Sequence, residues 1–418
     1  MSHAGRWAAI AFLLLFSLPA AGHAQQQYRM DASAARTMRV LPASRFNLKR
    51  LYAKNAIDLS QVDSIVNFSG SYKAKGYGPT GKPQNNWLYT MAGLPPQENK
   101  TTMFRMPIIP VSVELLSPTG ALGYDSGHPL ISDATQFVPP VMDSPLFQNS
   151  TYSSSKRPTQ FTDAVMRAEF RHGAKDGWHT LLDPVVVSRD LLKVPYGSYY
   201  YALNANGTCC AFILIDSNAF ASLFLPSGAA DSSTVVGRAE LSGMISSKDI
   251  STFLFPNTYL YVGSPQNCCI LGFHTADYQP ARVYSDSMPR DYVLLYASWI
   301  SPGTLGSGPQ DITALSHEIA ETFNDPFVAS DGIHNITPWW LSPNGNCEDI
   351  LEDGDVIEGL PNATYPVTLN GYNYHPQNEA LLQWFEFERY SDAIGHAYSY
   401  PDSSTLTELS PVEQANCK

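Results

Sequence analysis

A short stretch of the chain, residues 315–323, combines the side-chain types that metal chemistry needs. It contains the pattern H-E-x-x-E, in which His317, Glu318 and Glu321 carry the polar groups. Side chains at positions i and i+4 of an α-helix lie on the same face, so His317 and Glu321 can bind one metal ion together. Glu318 projects beside them, where the zinc-peptidase helix H-E-x-x-H carries its general base. The pattern therefore predicts a metal site with a carboxylate in place of the second histidine.

A third protein ligand is expected in the acidic segment 346–355, which follows the motif. Glu352 is predicted as this ligand, and Asp355 as a further ligand or as the group that orients His317. A solvated acidic loop and a calcium-binding loop are the alternatives, although the spacing differs from that of an EF-hand.

The remaining histidines have less specific surroundings. His375 lies in the segment 372–379 and is predicted as a ligand, a transition-state stabiliser or a structural histidine. For three others a structural role is predicted, because a lone histidine in a fold is more often a packed residue than a ligand. These three are His274, His334 and His396.

The residues around the motif must form a helix to bring these groups together. Apolar residues recur at 3.6-residue spacing and predict a helix over residues 311–324. Asp311 is predicted to cap its N-terminus, and Pro326 prevents its continuation. Burying two carboxylates and an imidazole on such an apolar helix is costly without a cation. The predicted buried stripe consists of Ile312, Leu315, Ile319 and Phe323.

Upstream segments predict a sheet for this helix to pack against. Residues 161–171, with Thr162 as cap, and residues 216–226 are predicted helices. Residues 248–255 are predicted as a helix or a loop, and residues 106–116 as an edge strand or strand start because prolines interrupt them. The other predicted strands are residues 185–187, 199–203, 209–215, 258–262, 268–273 and 292–298. The order indicates an α+β fold with a sheet packed on the H-E-x-x-E helix.

Composition narrows the class of protein. The chain has 418 residues, 44% of them hydrophobic, and a formal net charge of −12. This charge argues against nucleic acid or an anionic membrane as partner, since both need basic patches. Residues 1–24 have the basic, apolar and small-x-small pattern of a signal peptide, which predicts a secreted, extracellular or periplasmic protein without a membrane span in the mature chain. A β- and loop-rich N-terminal region is predicted for residues 25–160, and a metal-binding domain for residues 161–418.

Export makes the six cysteines candidates for disulfides. Two adjacent pairs occur, at positions 209/210 and 268/269. A bridge between sequence neighbours is strained, so cross-links between the two pairs are predicted. That pairing leaves Cys347 with Cys417.

The motif also carries a resemblance. Residues 316–321, followed by Asn324-Asp325-Pro326, resemble the S-H-E-x-x-E…D-P segment of secreted zincin-like proteins. They are similar as well to the H-E-x-x-E stretch of the plant phosphate-induced, EXORDIUM-like cell-wall proteins, which carry an acidic E-x-G-D type motif beside a cysteine. Residues 352–355 near Cys347 match that motif in kind, with a different order of cysteine and acids. The resemblance covers roughly residues 250–390 and implies a metal-binding, zincin-like fold.

Together these features predict a secreted metal-dependent hydrolase, specifically a zinc peptidase that acts on a peptide or protein substrate. His317, Glu321 and Glu352 would bind the ion, and Glu318 would deprotonate water. Two carboxylate ligands make an ion a weaker Lewis acid than one carboxylate does, so Mn or Ca are the alternative ions. The alternative function is a catalytically silent, metal-stabilised extracellular or cell-wall-associated protein, whose tyrosine-rich surface would contact peptide or glycan.

Overall fold

The computed structural model describes residues 29–31, 59–73, 86–117, 131–203, 212–228, 231–281, 288–306, 308–328, 340–348 and 350–409. Within them the chain has a mixed α+β fold with a curled sheet and few helices, which confirms the predicted class. The helices are α1 (Val138–Met142), α2 (Phe161–Glu169), α3 (Ser217–Phe224), α4 (Val235–Leu241), α5 (Thr313–Asn324) and α6 (Leu382–Phe385). The predicted signal segment, His334 and Cys209, Cys210 and Cys417 lie outside the described residues.

Among the described residues, most strands belong to two sheets. Their bounds are β1 (Arg29–Asp31), β2 (Asn67–Lys73), β3 (Asn86–Ala92), β4 (Thr101–Leu115), β5 (Ile131–Ser132), β6 (His179–Val186), β7 (Asp190–Val194), β8 (Tyr199–Leu203), β9 (Phe212–Asp216), β10 (Ile250–Pro256), β11 (Thr258–Tyr261), β12 (Cys268–Ile270), β13 (Gly272–Gln279) and β14 (Arg290–Trp299). The short strands that follow are β15 (Trp340–Leu341), β16 (Cys347–Glu348), β17 (Val367–Leu369), β18 (Tyr372–Tyr374), β19 (Glu379–Ala380) and β20 (Ser399–Tyr400). These last six pair two by two, as β15–β16, β17–β18 and β19–β20, and β2 pairs with β3 in the same way.

The larger sheet has the order β13-β14-β10-β4-β5, with β6 and β7 also paired to β4. Strand β14 is antiparallel to β13 and parallel to β10, which is parallel to β4. The predicted edge position of residues 106–116 is wrong, since Ile108 of β4 pairs with β10 on one side and with β6 on the other. The prolines are tolerated because each removes a single backbone donor from a strand of 15 residues.

Strand β10 also corrects a prediction, because residues 248–255 were expected to form a helix or a loop. Every residue of β10 is buried, between β4 and β14 in the sheet and between packed layers on its two faces. A parallel strand covered on both faces reads as a continuous apolar run and lacks the alternation that identifies a strand in sequence. Helix α3 lies where a helix was predicted, and Asp216 caps it by accepting from the N–H groups of Asn218 and Ala219.

The smaller sheet has the order β1-β8-β9-β11-β12 and covers one face of the larger sheet together with α3 and α4. Alternation along β14 separates two cores: Leu294 and Tyr296 pack on this side, while Leu295 and Ala297 pack on the other. Helices α2 and α5 cover that second face.

Helix α5 carries the H-E-x-x-E motif and packs against β13, β14, β3 and α2. The predicted stripe is buried, but so is every other residue of the helix. The predicted cap is wrong. The N-cap residue is Ile312, without a side-chain bond, and Asp311 instead accepts from the N–H groups of Ile312 and His375 at a φ of 45°. The helix ends at Asn324, as predicted from Pro326.

Helix α2 begins at Phe161, as predicted, but the predicted cap Thr162 is wrong as well. The N-cap residue is Gln160, and it makes no side-chain capping bond. The side chain of Gln160 instead bonds to β6, where it accepts from the Leu182 N–H and donates to the Leu182 carbonyl. The residue before the helix therefore joins it to the sheet.

The disulfide prediction is wrong for the second cysteine pair. Cys268 is bonded to its neighbour Cys269, and both are buried. The peptide bond between them is cis, and their Cα atoms are 3.0 Å apart. Because each is bonded to the other, neither cysteine is available to residues 209 and 210. No helix in the described part of the chain is long and apolar enough to cross a membrane.

Candidate metal centre

Helix α5 places the motif as its spacing predicts. The Nε2 atom of His317 lies 3.0 Å from Oε1 of Glu321 and 3.9 Å from Oε1 of Glu318. All three side chains are buried, His317 being 5% exposed and Glu321 fully enclosed. One face of the helix therefore presents one imidazole and two carboxylates to a shared point, where a bound cation or protonated histidines would balance the carboxylate charges.

The acidic segment after β16 contacts this helix through its backbone and its side chains. Oε1 of Glu321 accepts from the N–H groups of Gly354 and Asp355, each over 3.2 Å. Oδ1 of Asp355 lies 3.5 Å from Nε2 of His317. A Cβ added to Gly354 would lie 2.6 Å from Nδ1 of His317, so the segment can approach the ring only because this residue is glycine.

His274, for which a structural role was predicted, is the residue that sequence reasoning missed. It lies on β13, where strand alternation directs it to the α5 face, opposite Leu295. Its Nδ1 atom lies 3.3 Å from Oε2 of Glu321 and 3.6 Å from Oε2 of Glu318. Oε2 of Glu352 is 3.9 Å away. The only hint in the sequence was a single histidine directly after the apolar run 268–273. Such a pattern is a weak indication of a metal ligand.

The ring of His274 is oriented by the backbone. Its Nε2 atom lies 3.1 Å from the carbonyl oxygen of Asp325, at the end of α5. A carbonyl can only accept, so Nε2 carries the proton, and the lone pair of a neutral ring belongs to Nδ1. Metal-binding histidines commonly donate their second N–H to a backbone carbonyl in this way.

Two sets of ligand atoms result, each with its atoms within 4.8 Å of one another. The first, here called the cleft-side group, consists of His317, Glu321 and Asp355. The second, here called the buried group, consists of His274, Glu318 and Glu321. Glu321 belongs to both, with Oε1 facing the cleft-side group and Oε2 facing the buried group.

The centre borders a cleft on one of its sides. A small cleft reaches His317, Glu318 and Asp355, whereas His274, Glu321 and Glu352 do not line it. Its lining consists of Leu271, Gly272, Pro309, Thr313, Ala314, His317, Glu318, Asp355, Glu358 and Gln377. A Cβ on Gly272 would lie 2.5 Å from Oε1 of Glu318, so this second glycine keeps room for the glutamate at the cleft.

The histidines respond to the surrounding carboxylates. Burial alone would lower the pKa of His317, but the charges of Glu321 and Glu318 outweigh burial and raise the pKa well above its usual value. Burial likewise opposes protonation of His274, yet its contacts with Glu318 and Glu321 raise its pKa to about 10. Without an ion, both rings therefore hold protons, and a divalent cation would bind in competition with them.

The carboxylates divide into two kinds. Burial raises the pKa of Glu318 and of Glu352. It also disfavours ionisation of Glu321, but the charge of His317 and the contact with His274 outweigh it and lower the pKa of Glu321. Glu321 is therefore the carboxylate that stays ionised most readily, as its position between both histidines requires.

Three further acids, Glu169, Asp353 and Glu379, form a layer next to the centre and are called the acid layer below. All are buried, and burial is the largest cause of their raised pKa values. Asn324 donates to Asp353 over 2.6 Å, while neither oxygen of Glu379 accepts a well-aligned hydrogen bond from any residue that the structure describes. The acid layer therefore favours neutral carboxyl groups and adds little negative charge to the ion site.

The structure does not bring His375 to the centre. Its Nδ1 atom lies 2.7 Å from Oδ2 of Asp311, ahead of α5, and its backbone carbonyl accepts from the hydroxyl of Thr313. Of the predicted site residues, His317, Glu318, Glu321 and Asp355 converge, and Glu352 lies on the His274 side.

Comparison of the chain with protein-family models, with curated protein sequences and with solved structures gives no match.

Proposed function

We propose that this chain is a metal-dependent hydrolase that cleaves peptide bonds, with its ion bound by His317, Glu321 and Asp355. The observation that carries the proposal is the cleft-side group itself. His317 and Asp355 of this group line a cleft together with Glu318, and Glu321, which completes the group, lies 3.0 Å from His317. The zincin-like fold belongs to the same proposal, supported by an H-E-x-x-E helix packed against strands. Secretion is proposed from the signal-like residues 1–24.

The donor set fits a divalent cation. The separations between ligand atoms, 3.0 Å for His317 to Glu321 and 3.5 Å for His317 to Asp355, bracket the ~3.3 Å between neighbouring ligands of a tetrahedral ion with bonds of about 2.0–2.1 Å. Two carboxylates and one imidazole suit Zn or the harder Mn. When bound, such an ion supplies Lewis-acid polarisation of a carbonyl and lowers the pKa of water.

The chain's own groups perform the remaining steps. Glu318 lines the cleft, where it is placed to accept a proton from a water. Burial raises its pKa towards the range of an effective general base. His317 is positioned by Gly354, and the backbone of residues 354 and 355 fixes Glu321. Gln377 lines the cleft and donates to the Gly354 carbonyl over 2.7 Å, which stabilises the loop that carries Asp355.

The test is Glu318→Gln in the full chain, stripped with a chelator and reloaded with Zn or Mn. We expect cleft-side ion binding to persist and casein hydrolysis to fall by about 100-fold or more, the usual effect of losing a general base. Glu98→Gln is the matched control, because Glu98 is exposed and pairs with exposed Lys100. Unchanged hydrolysis in Glu318→Gln would overturn the role of Glu318.

The second candidate is a catalytically silent, metal-stabilised extracellular binding protein. The observation that favours it is the contact of Glu318 with His274, both buried, which restrains Glu318 on the side away from the cleft. Wild-type protein that binds ions but cleaves no peptide between pH 5 and 10, with Zn or Mn supplied, would establish this candidate over the peptidase.

A further inference from the structure

We infer that the centre holds two divalent cations bridged by Glu321, the second being bound by His274 together with Glu318 and Glu352. This inference deepens the metal site of the proposed function, and its ion count can be measured without any hydrolysis assay.

The bridge follows from the two oxygens of Glu321. Oε1 faces His317 over 3.0 Å, and Oε2 faces His274 over 3.3 Å. Glu318 presents Oε2 to His274 over 3.6 Å, while its Oε1 lies 3.9 Å from His317 at the cleft, where the proposed base is needed. A carboxylate that presents one oxygen to either side, as Glu321 does, is the geometry of a shared pair of ions, which lie about 3.5–4 Å apart in two-metal sites.

The buried side has the spacing of ligands and not that of hydrogen bonds. From Nδ1 of His274 the carboxylate oxygens lie at 3.3, 3.6 and 3.9 Å. A charge-assisted hydrogen bond measures about 2.7–2.9 Å, whereas neighbouring ligands around one ion are separated by about 3.0 Å in octahedral and ~3.3 Å in tetrahedral geometry. Within the described part of the chain, the Oε2 atoms of Glu318, Glu321 and Glu352 accept no well-aligned hydrogen bond, although all three residues are buried.

Protonation of His274 cannot satisfy these oxygens. Its Nε2 proton is used by the Asp325 carbonyl, so a charged ring offers one further N–H to three carboxylates. A cation at that position can contact all of them at once.

Charge gives an independent argument for two ions. Glu318, Glu321, Glu352 and Asp355 carry four negative charges when ionised, and one divalent cation balances half of them. Two divalent cations with neutral histidines balance all four, which removes the cost of burying uncompensated charge.

The experiment is metal analysis and electron paramagnetic resonance of the full chain loaded with Mn and desalted. We expect about two Mn per chain and the multiline spectrum of a coupled pair. Glu352→Gln, which retains side-chain volume, and His274→Ala should each bind about one Mn and give the six-line spectrum of an isolated ion. His375→Gln is the matched control, because it removes a histidine that is paired with a carboxylate, Asp311, outside both groups. This variant should retain two Mn ions.

One Mn in wild type, unchanged in Glu352→Gln, would overturn the inference while leaving a one-ion hydrolase intact. Two coupled Mn in a protein that cleaves nothing would support the inference and overturn the proposed hydrolase. No bound Mn or Zn at all in folded wild type would overturn both.

Discussion

The cleft-side group and the buried group use the same ligand types and share Glu321, but they differ in what surrounds them. The cleft-side group combines helix α5 with the loop that carries Asp355, and its His317 and Asp355 line the cleft. The buried group combines α5 with strand β13. Its His274 is enclosed and oriented by the end of the same helix, while its Glu318 reaches the cleft. A loop allows a substrate to approach, whereas strand and helix give rigid support. Under the proposed function, the first group is therefore the reactive side and the second the supporting side.

The largest expected effect comes from the residue that both groups share. Glu321→Gln removes the charge between the two histidines, and an amide nitrogen would face one of them. We expect affinity for Zn or Mn to fall by about 100-fold or more and hydrolysis to be abolished. Loss of a residue that only supports a metal ligand already lowers metal affinity by about 10–100-fold. Competition with a chelating dye measures the affinity, and Glu98→Gln is the control. Retention of one tight ion would show that the groups are separable without Glu321.

A smaller and one-sided effect is expected from the loop. In Gly354→Ala, the new Cβ meets the ring of His317 at 2.6 Å and displaces it, whereas His274 is untouched. We expect hydrolysis to fall about 100-fold, as for misplacement of a reactive group by ~1 Å, while one Mn stays bound. Gly228→Ala is the matched control, because no described residue other than its chain neighbours lies within 4 Å of the added Cβ. Equal loss of both ions would contradict the division into two sides.

The smallest effect concerns the acid layer and leaves every ligand in place. Burial raises the pKa of Glu379 and Glu169, so the folded chain holds protons that the unfolded chain releases above about pH 4.5. Their stabilising contribution is complete below that pH and is lost as pH rises through the folded-state pKa. For metal-free protein we expect the Tm at pH 9 to lie about 3 °C or more below that at pH 5.5.

Glu379→Gln sharpens this measurement, because a neutral amide replaces the carboxyl and should flatten the pH dependence. Bound Mn should reduce the decrease as well, since cations offset the neighbouring carboxylates. Thermal unfolding by circular dichroism in the presence of a chelator measures both. A Tm that rises with pH in metal-free wild type would show that the acid layer is ionised and balanced by other groups.

Prediction from sequence succeeded where the information is local. The i, i+4 spacing placed His317 and Glu321 on one face of a helix, and Pro326 set its end. It failed where two distant segments meet. His274 reaches the site through the register of β13 against β14, which no pattern within residues 268–279 specifies. The roles of Glu352 and Asp355 depend likewise on how a loop folds back, and the structure places Asp355 nearer to His317.

Two other predictions were wrong. The burial of β10 on both faces erased the alternation that marks a strand. Cys268 is bonded to its sequence neighbour Cys269, a pairing that the predicted cross-links between the two cysteine pairs had excluded.

The hydrogen bonds between Glu321 and the backbone of residues 354 and 355 also bear on how such motifs can evolve. Changing Glu321 to histidine would restore the familiar H-E-x-x-H helix with a single substitution. A neutral imidazole has one lone pair, so it could not serve an ion, two backbone donors and His274 together. The loop and β13 would have to change along with the helix. The two motifs are thus separated by several coordinated substitutions, and a designer converting one into the other would need to rebuild residues 352–355 at the same time.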